Sequence, residues 1–87
     1  MTTMRDANKT VHPVETQWHY KTMTERGYEA DTKEGIGFVR SYKYTHPVTG
    51  SIIVVTTGYQ SDHWKDTQSG NFGYWRELKP YLDSLGD

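Results

Sequence analysis

Eighty-seven residues with 33% hydrophobic and 14% aromatic content leave room for one small core, in which Trp, Tyr and Phe at about 150–250 Å² each must supply much of the buried area. Ten Lys and Arg against eleven Asp and Glu give a formal charge of −1, so no whole-molecule field draws nucleic acid and any polyanion site must be local. Having no cysteine excludes disulfides, thiolate metal sites and a cysteine nucleophile, and fits a reducing, cytoplasmic setting.

Met1 to Thr10 is polar, with Arg5 and Lys9 and no apolar run. It is neither a signal peptide nor a membrane span, and residues 1–10 are expected to form a flexible tail ahead of a single domain at 11–87. Pro13 suits the first turn of a helix running to about Arg26. Gly27 supplies a left-handed stop, and Lys21 and Arg26 lie near the negative end of the helix dipole. The helical face is blurred, with His19 and Met23 on one stripe and Val14 and Trp18 on another. His12 and His19 are expected at the surface or the helix boundary.

Tyr28 to Gly35 carries Glu29, Asp31, Lys33 and Glu34 and reads as a short charged edge strand or a loop. From Gly37 the alternation changes, with Phe38, Arg40, Tyr42 and Tyr44 on one strand face and Val39, Ser41, Lys43 and Thr45 on the other. The second set is too polar for a core, so the aromatic face is expected to be buried with Arg40 at its rim. His46-Pro47-Val48-Thr49-Gly50 is a turn, and Ser51 to Thr57 is an almost wholly β-branched central strand pairing antiparallel with the one before. Gly58 to Gly70 has the composition of a surface loop around Trp64. Phe72, Trp75, Leu78, Leu82 and Leu85, spaced 3, 3, 4 and 3, predict a second helix kinked at Pro80.

The fold class that follows is α+β, an α-β-β-β-α order in which a small antiparallel three-stranded sheet packs against two helices. Several residues recur in a family-like order: Glu25-Arg26-Gly27-Tyr28, Gly35 and Gly37 opening the hairpin, Tyr44-Thr45-His46-Pro47 with Gly50, and Leu78-Lys79-Pro80-Tyr81-Leu82-Asp83-Ser84-Leu85-Gly86. From Trp18 to Gly86 the chain resembles the HicA-type small proteins, which share the fold of double-stranded-RNA-binding domains. Members of that family cleave RNA with a histidine just after the glycine at the start of the hairpin. Here that stretch is Gly35-Ile36-Gly37-Phe38, without an imidazole to carry general acid–base transfer, typically worth roughly 10²–10⁴-fold. The resemblance also implies carriage by a phage or mobile element, where such proteins modulate host machinery.

Three functional expectations follow. The leading one is a non-enzymatic binding module with a protein partner, using the aromatic surplus of the segment Gly58 to Tyr74, namely Tyr59, His63, Trp64, Lys65 and Tyr74. The second is an RNA-binding domain using Arg40, Lys43, Lys65, Arg76 and Lys79. The third is an RNase whose catalytic histidine has moved to His46 or His63. A short, incompletely covered sheet also suggests a homodimer. No cofactor is expected: Asp62, His63 and Asp66, with His46, match no metal template, and Gly35-Ile36-Gly37 continues into a strand where a phosphate loop would open a helix.

Overall fold

The hairpin expected around His46 to Gly50 lies at the centre of the molecule. The computed structural model describes residues 10–58 and 61–86; residues 1–9 of the expected tail, and Tyr59, lie outside that range. In chain order the elements are β1 (Val11–Pro13), a 3₁₀ turn (Val14–Thr16), α1 (Trp18–Thr24), β2 (Glu29–Ala30), β3 (Glu34–Ile36), β4 (Arg40–Thr45) and β5 (Ile52–Thr57). They continue with β6 (His63–Asp66), β7 (Phe72–Tyr74), a second 3₁₀ turn (Trp75–Glu77) and α2 (Leu78–Gly86). β4 and β5 pair antiparallel from Arg40↔Thr57 to Thr45↔Ile52, and Gly50 takes the left-handed conformation the turn requires, φ 79°.

The α+β class holds, but the three-stranded α-β-β-β-α order does not. The main sheet has five antiparallel strands in the order β2-β4-β5-β6-β7, and β1 with β3 forms a separate two-stranded sheet. Three sequence expectations change for one reason, which is that strand pairing with a distant partner overrides local pattern. Pro13, expected in the first turn of the helix, instead closes a strand of residues 11–13 that pairs with β3 (His12↔Gly35). Part of the expected surface loop becomes β6, because Val55↔Trp64 places Trp64 on the covered face of the sheet. Phe72 to Tyr74, assigned to the second helix, becomes β7 along β6 (His63↔Tyr74). Of the five-residue apolar stripe, Leu78 and Leu82 are buried, while Phe72, Trp75 and Leu85 are exposed. Since α2 starts at Leu78, Pro80 falls in its first turn, where a missing N–H is tolerated.

The first helix stops where expected. Tyr28 N–H donates to the Met23 carbonyl and Gly27 N–H to the Thr24 carbonyl, both at 3.1 Å, with Gly27 at φ 89°: a Schellman closure. Residues 28–35 resolve into two short strands, β2 on the edge of the main sheet and β3 on β1. Gly35 is required for space, since a Cβ there would lie 2.6 Å from Tyr42 Oη and 2.8 Å from Arg40 Cβ.

Both helices pack on one face of the five-stranded sheet. Tyr42, Tyr44, Ile53, Val55 and Trp64 from that face join Met23, Tyr28, Leu78, Leu82 and Val14 in a single core. Phe38 leaves the expected core face and is exposed, because the chain bends at Gly37 (φ 90°) before β4 begins. His19, expected at the surface, is fully buried, its ring 4.9 Å from that of Tyr42 and its Nδ1 2.5 Å from Tyr44 Oη.

Candidate functional site

Because side chains alternate along a strand, the residues that fill the core leave an equal set on the other face of the sheet, which among the described residues no helix covers. β4 contributes Ser41 and Lys43, β5 contributes Val54 and Thr56, β6 contributes His63 and Lys65, and β7 contributes Phe72 and Tyr74. The register aligns them in two rows, Ser41–Thr56–His63–Tyr74 and Lys43–Val54–Lys65–Phe72. Phe72 and Tyr74 are 77% and 65% exposed. A shallow hollow of about 530 Å³ runs along this face between Val54, Thr56, Lys65 and Phe72. Acidic residues stand only at the β2 edge of this face: Glu29 pairs with Thr45, and Asp31, whose N–H donates to the Lys43 carbonyl at 2.8 Å, accepts from Thr45 Oγ1, whereas among the described residues none stands beside Lys65, His63, Phe72 or Tyr74 in the two rows.

The structure regroups the residues singled out from sequence. His63, Lys65 and Tyr74 of the protein-binding set share the open face, and so do Lys43 and Lys65 of the RNA-binding set. Trp64 does not: it is 3% exposed, stacks on Tyr81 with ring centroids 4.5 Å apart, and donates from Nε1 to the Tyr74 carbonyl at 2.9 Å. Arg40 lies on the covered face, its Nη1 donating to the carbonyls of Gly37 and Phe38 at 2.8 and 3.2 Å. Arg76 and Lys79 are exposed on the second 3₁₀ turn and α2, with the Arg76 guanidinium over the Trp75 ring. The five cations therefore do not make one footprint. Sequence reasoning missed Phe72, whose helical period with Trp75 hid the strand alternation with Tyr74.

The titratable groups that could support chemistry are mostly occupied elsewhere. His46 Nδ1 accepts from the N–H groups of Val48 and Thr49 at 3.2 Å each, and its ring meets Tyr28 edge-on at 5.1 Å, so it braces the turn against the end of α1. Desolvation lowers the pKa of His19 to about 4, keeping it neutral, and burial raises that of Tyr44. Asp62, His63 and Asp66 are close in sequence but not together in space: β6 sends His63 outward and Asp66 inward. Asp66 accepts from Tyr81 Oη (2.5 Å) and from the N–H groups of Gln68 and Ser69, bonds that hold its pKa down although desolvation opposes them. Asp62 accepts from Trp18 Nε1 at 2.7 Å and from Gly58 N–H at 3.1 Å. No group of three metal-ligating side chains forms among the described residues.

A second hollow, about 780 Å³, opens beside the turn, lined by Arg26, Tyr28, His46, Ser51, Leu82 and Asp83 among others. Its polar groups are already paired, Arg26 with Asp83 at 2.8 Å and Tyr28 Oη with Ser51 Oγ at 2.9 Å. The open face instead presents Lys43, Lys65, His63 and the exposed rings of Phe72 and Tyr74, with Tyr74 also capping the second 3₁₀ turn. Among the described residues no helix is long and apolar enough to cross a membrane. In comparisons with known proteins, no family model, curated protein or solved structure matches the chain.

Proposed function

We propose that this chain is a non-enzymatic binding module that holds a macromolecular partner on the open face of its five-stranded sheet. The observation that carries the reading is the exposure of Phe72 and Tyr74 beside Lys65 and His63 on a face that the two helices leave free. Large exposed aromatic side chains next to charges have little to contribute to a fold and much to contribute to recognition. The protein-binding and RNA-binding expectations drawn from sequence meet here, since Lys65 belongs to both sets. Catalysis finds less support: His46 is engaged by the turn, His19 is buried, and the cross-strand neighbours of His63 on its face are Thr56 and Tyr74, neither a carboxylate.

The test is capture from the native cell extract with the parent chain, a Lys65→Glu/Tyr74→Ser variant and an Arg76→Ala/Lys79→Ala variant as baits. Loss of the captured species in the first variant alone is the expected outcome. Loss only in the second would move the docking surface to the helical side and overturn the reading.

A further inference from the structure

The register between β6 and β7 repeats one unit. Lys65 stands opposite Phe72, and His63 stands opposite Tyr74, so each exposed ring has a cationic or imidazole side chain beside it on the same face. The repeats are two residues apart along the strands, about 6.6–6.8 Å, and each pair spans neighbouring strands about 4.7–4.9 Å apart. Lys43 extends the Lys65 row across Val54. A ring that stacks a base, with a nitrogen beside it for the adjoining phosphate, is the arrangement by which single strands are bound without sequence readout. We infer that this face binds a single-stranded nucleic acid, with Phe72 and Tyr74 stacking successive bases and Lys65, His63 and Lys43 contacting the backbone.

Other occupants fit the same surface less well. Strand addition at the β7 edge is obstructed, because Tyr74 N–H already donates to Glu77 Oε1 at 3.0 Å and the Tyr74 carbonyl accepts from Trp64 Nε1. A second copy stacked face to face would bring Lys43 and Lys65 against their own kind. A protein interface wants an apolar, charge-poor centre, whereas here the middle of the face is Val54 and Thr56 flanked by two lysines, with the rings at one side. Duplex RNA demands cations placed to span two grooves, and Arg40, Arg76 and Lys79 do not lie on this face. Asp31 and Glu29 are confined to the β2 edge beside Lys43 and Thr45, so the half of the face that carries Lys65, His63, Phe72 and Tyr74 is spared the local repulsion that the overall charge of −1 would suggest.

The inference rests on the open face being the docking surface, and one experiment separates the two. A fluorescein-labelled oligouridine of about 12 nucleotides, titrated with the full chain at ~50 mM salt, is expected to bind with a Kd of roughly 10⁻⁴–10⁻⁶ M. The log–log salt slope is expected near −1 to −2, with Lys65 and Lys43 each neutralising one phosphate at about −0.7. Phe72→Ala and Tyr74→Ala should each weaken binding roughly 5- to 100-fold, Lys65→Glu should abolish it, and Arg76→Ala/Lys79→Ala should leave it unchanged. Circular dichroism and thermal melting of each variant verify that the fold is retained.

No binding, equal affinity for duplex RNA, or indifference to Phe72→Ala and Tyr74→Ala would overturn the inference; so would self-association of the parent chain that Lys65→Glu abolishes. If oligouridine is not bound but Lys65→Glu/Tyr74→Ser still loses its captured partner, single-strand binding fails and the docking face stands. If neither is affected, both fail.

Discussion

The two faces of the five-stranded sheet are made by the same strands and differ by one position in register. On the covered face Tyr42, Tyr44, Ile53, Val55 and Trp64 are all nearly without solvent contact. On the open face, which no helix covers among the described residues, Phe72 and Tyr74 stand in solvent among Lys43, Lys65 and His63. The first face has the composition of a structure that must exclude water. The second keeps rings exposed where a smaller polar residue would cost no stability, and that asymmetry is what assigns recognition to one side and folding to the other.

Adjacent residues offer the sharpest way to break this comparison. Trp64→Ala should destabilise the chain by about 3–5 kcal/mol through lost burial and the cavity left beside Tyr81. Lys65→Ala should stay within about 0.5 kcal/mol of the parent. Urea denaturation measures both, and similar values for the two would deny the division between faces.

His19 makes the covered face sensitive to acid. Its folded-state pKa of about 4 lies below the ordinary 6.5, so between those values the unfolded chain binds a proton that the folded chain refuses. Stability is full above about pH 6.5 and falls with decreasing pH, by about 3 kcal/mol at pH 4. Asp66, with its lowered pKa, adds a further loss as pH falls through and below the ordinary carboxylate range. Chemical denaturation across pH 4–7 should show this slope, and His19→Gln should flatten it; a parent chain with no slope there would contradict the burial of His19.

Smaller effects refine the picture. Gly35→Ala should cost about 1–3 kcal/mol, because its Cβ would overlap Tyr42 Oη and Arg40 Cβ; a neutral result would mean that the two-stranded sheet does not press on the main one. Thr57 is 2% exposed, and its hydroxyl has no partner among the described residues. Thr57→Val removes that hydroxyl at nearly constant shape and should be neutral or stabilising by up to about 1 kcal/mol. A clear loss of thermal stability would reveal a hydrogen bond in solution. On the open face, Phe72→Ser should change the melting temperature least of all, within the scatter of surface substitutions.

Much of the fold was legible wherever the signal is local. The β4–β5 turn follows from Pro47 and Gly50 between two strand-like runs, the end of α1 from the positive φ that Gly27 alone accepts without strain, and β5 from an unbroken β-branched run. The misreadings share a different origin. Phe72, Trp75, Leu78 and Leu82 satisfy a helical period, yet residues 72–74 also complete a ladder on β6, and a single chain segment does not say which neighbour will reach it first. Trp64 among polar residues looked like an exposed anchor because nothing local states that Val55 lies opposite.

Thus the sequence by itself determined the turn, the helix stop, the central hairpin and the need for an aromatic core in a chain this short, since these depend on backbone torsions and composition. Only the tertiary structure decided which aromatics serve the core and which face solvent. Strand pairing between distant residues sets the register, and a shift of one residue exchanges the faces. That register withdrew Trp64 and Arg40 from the candidate surface, added Phe72, and placed Lys43, Lys65, His63 and Tyr74 together on the side the helices leave open.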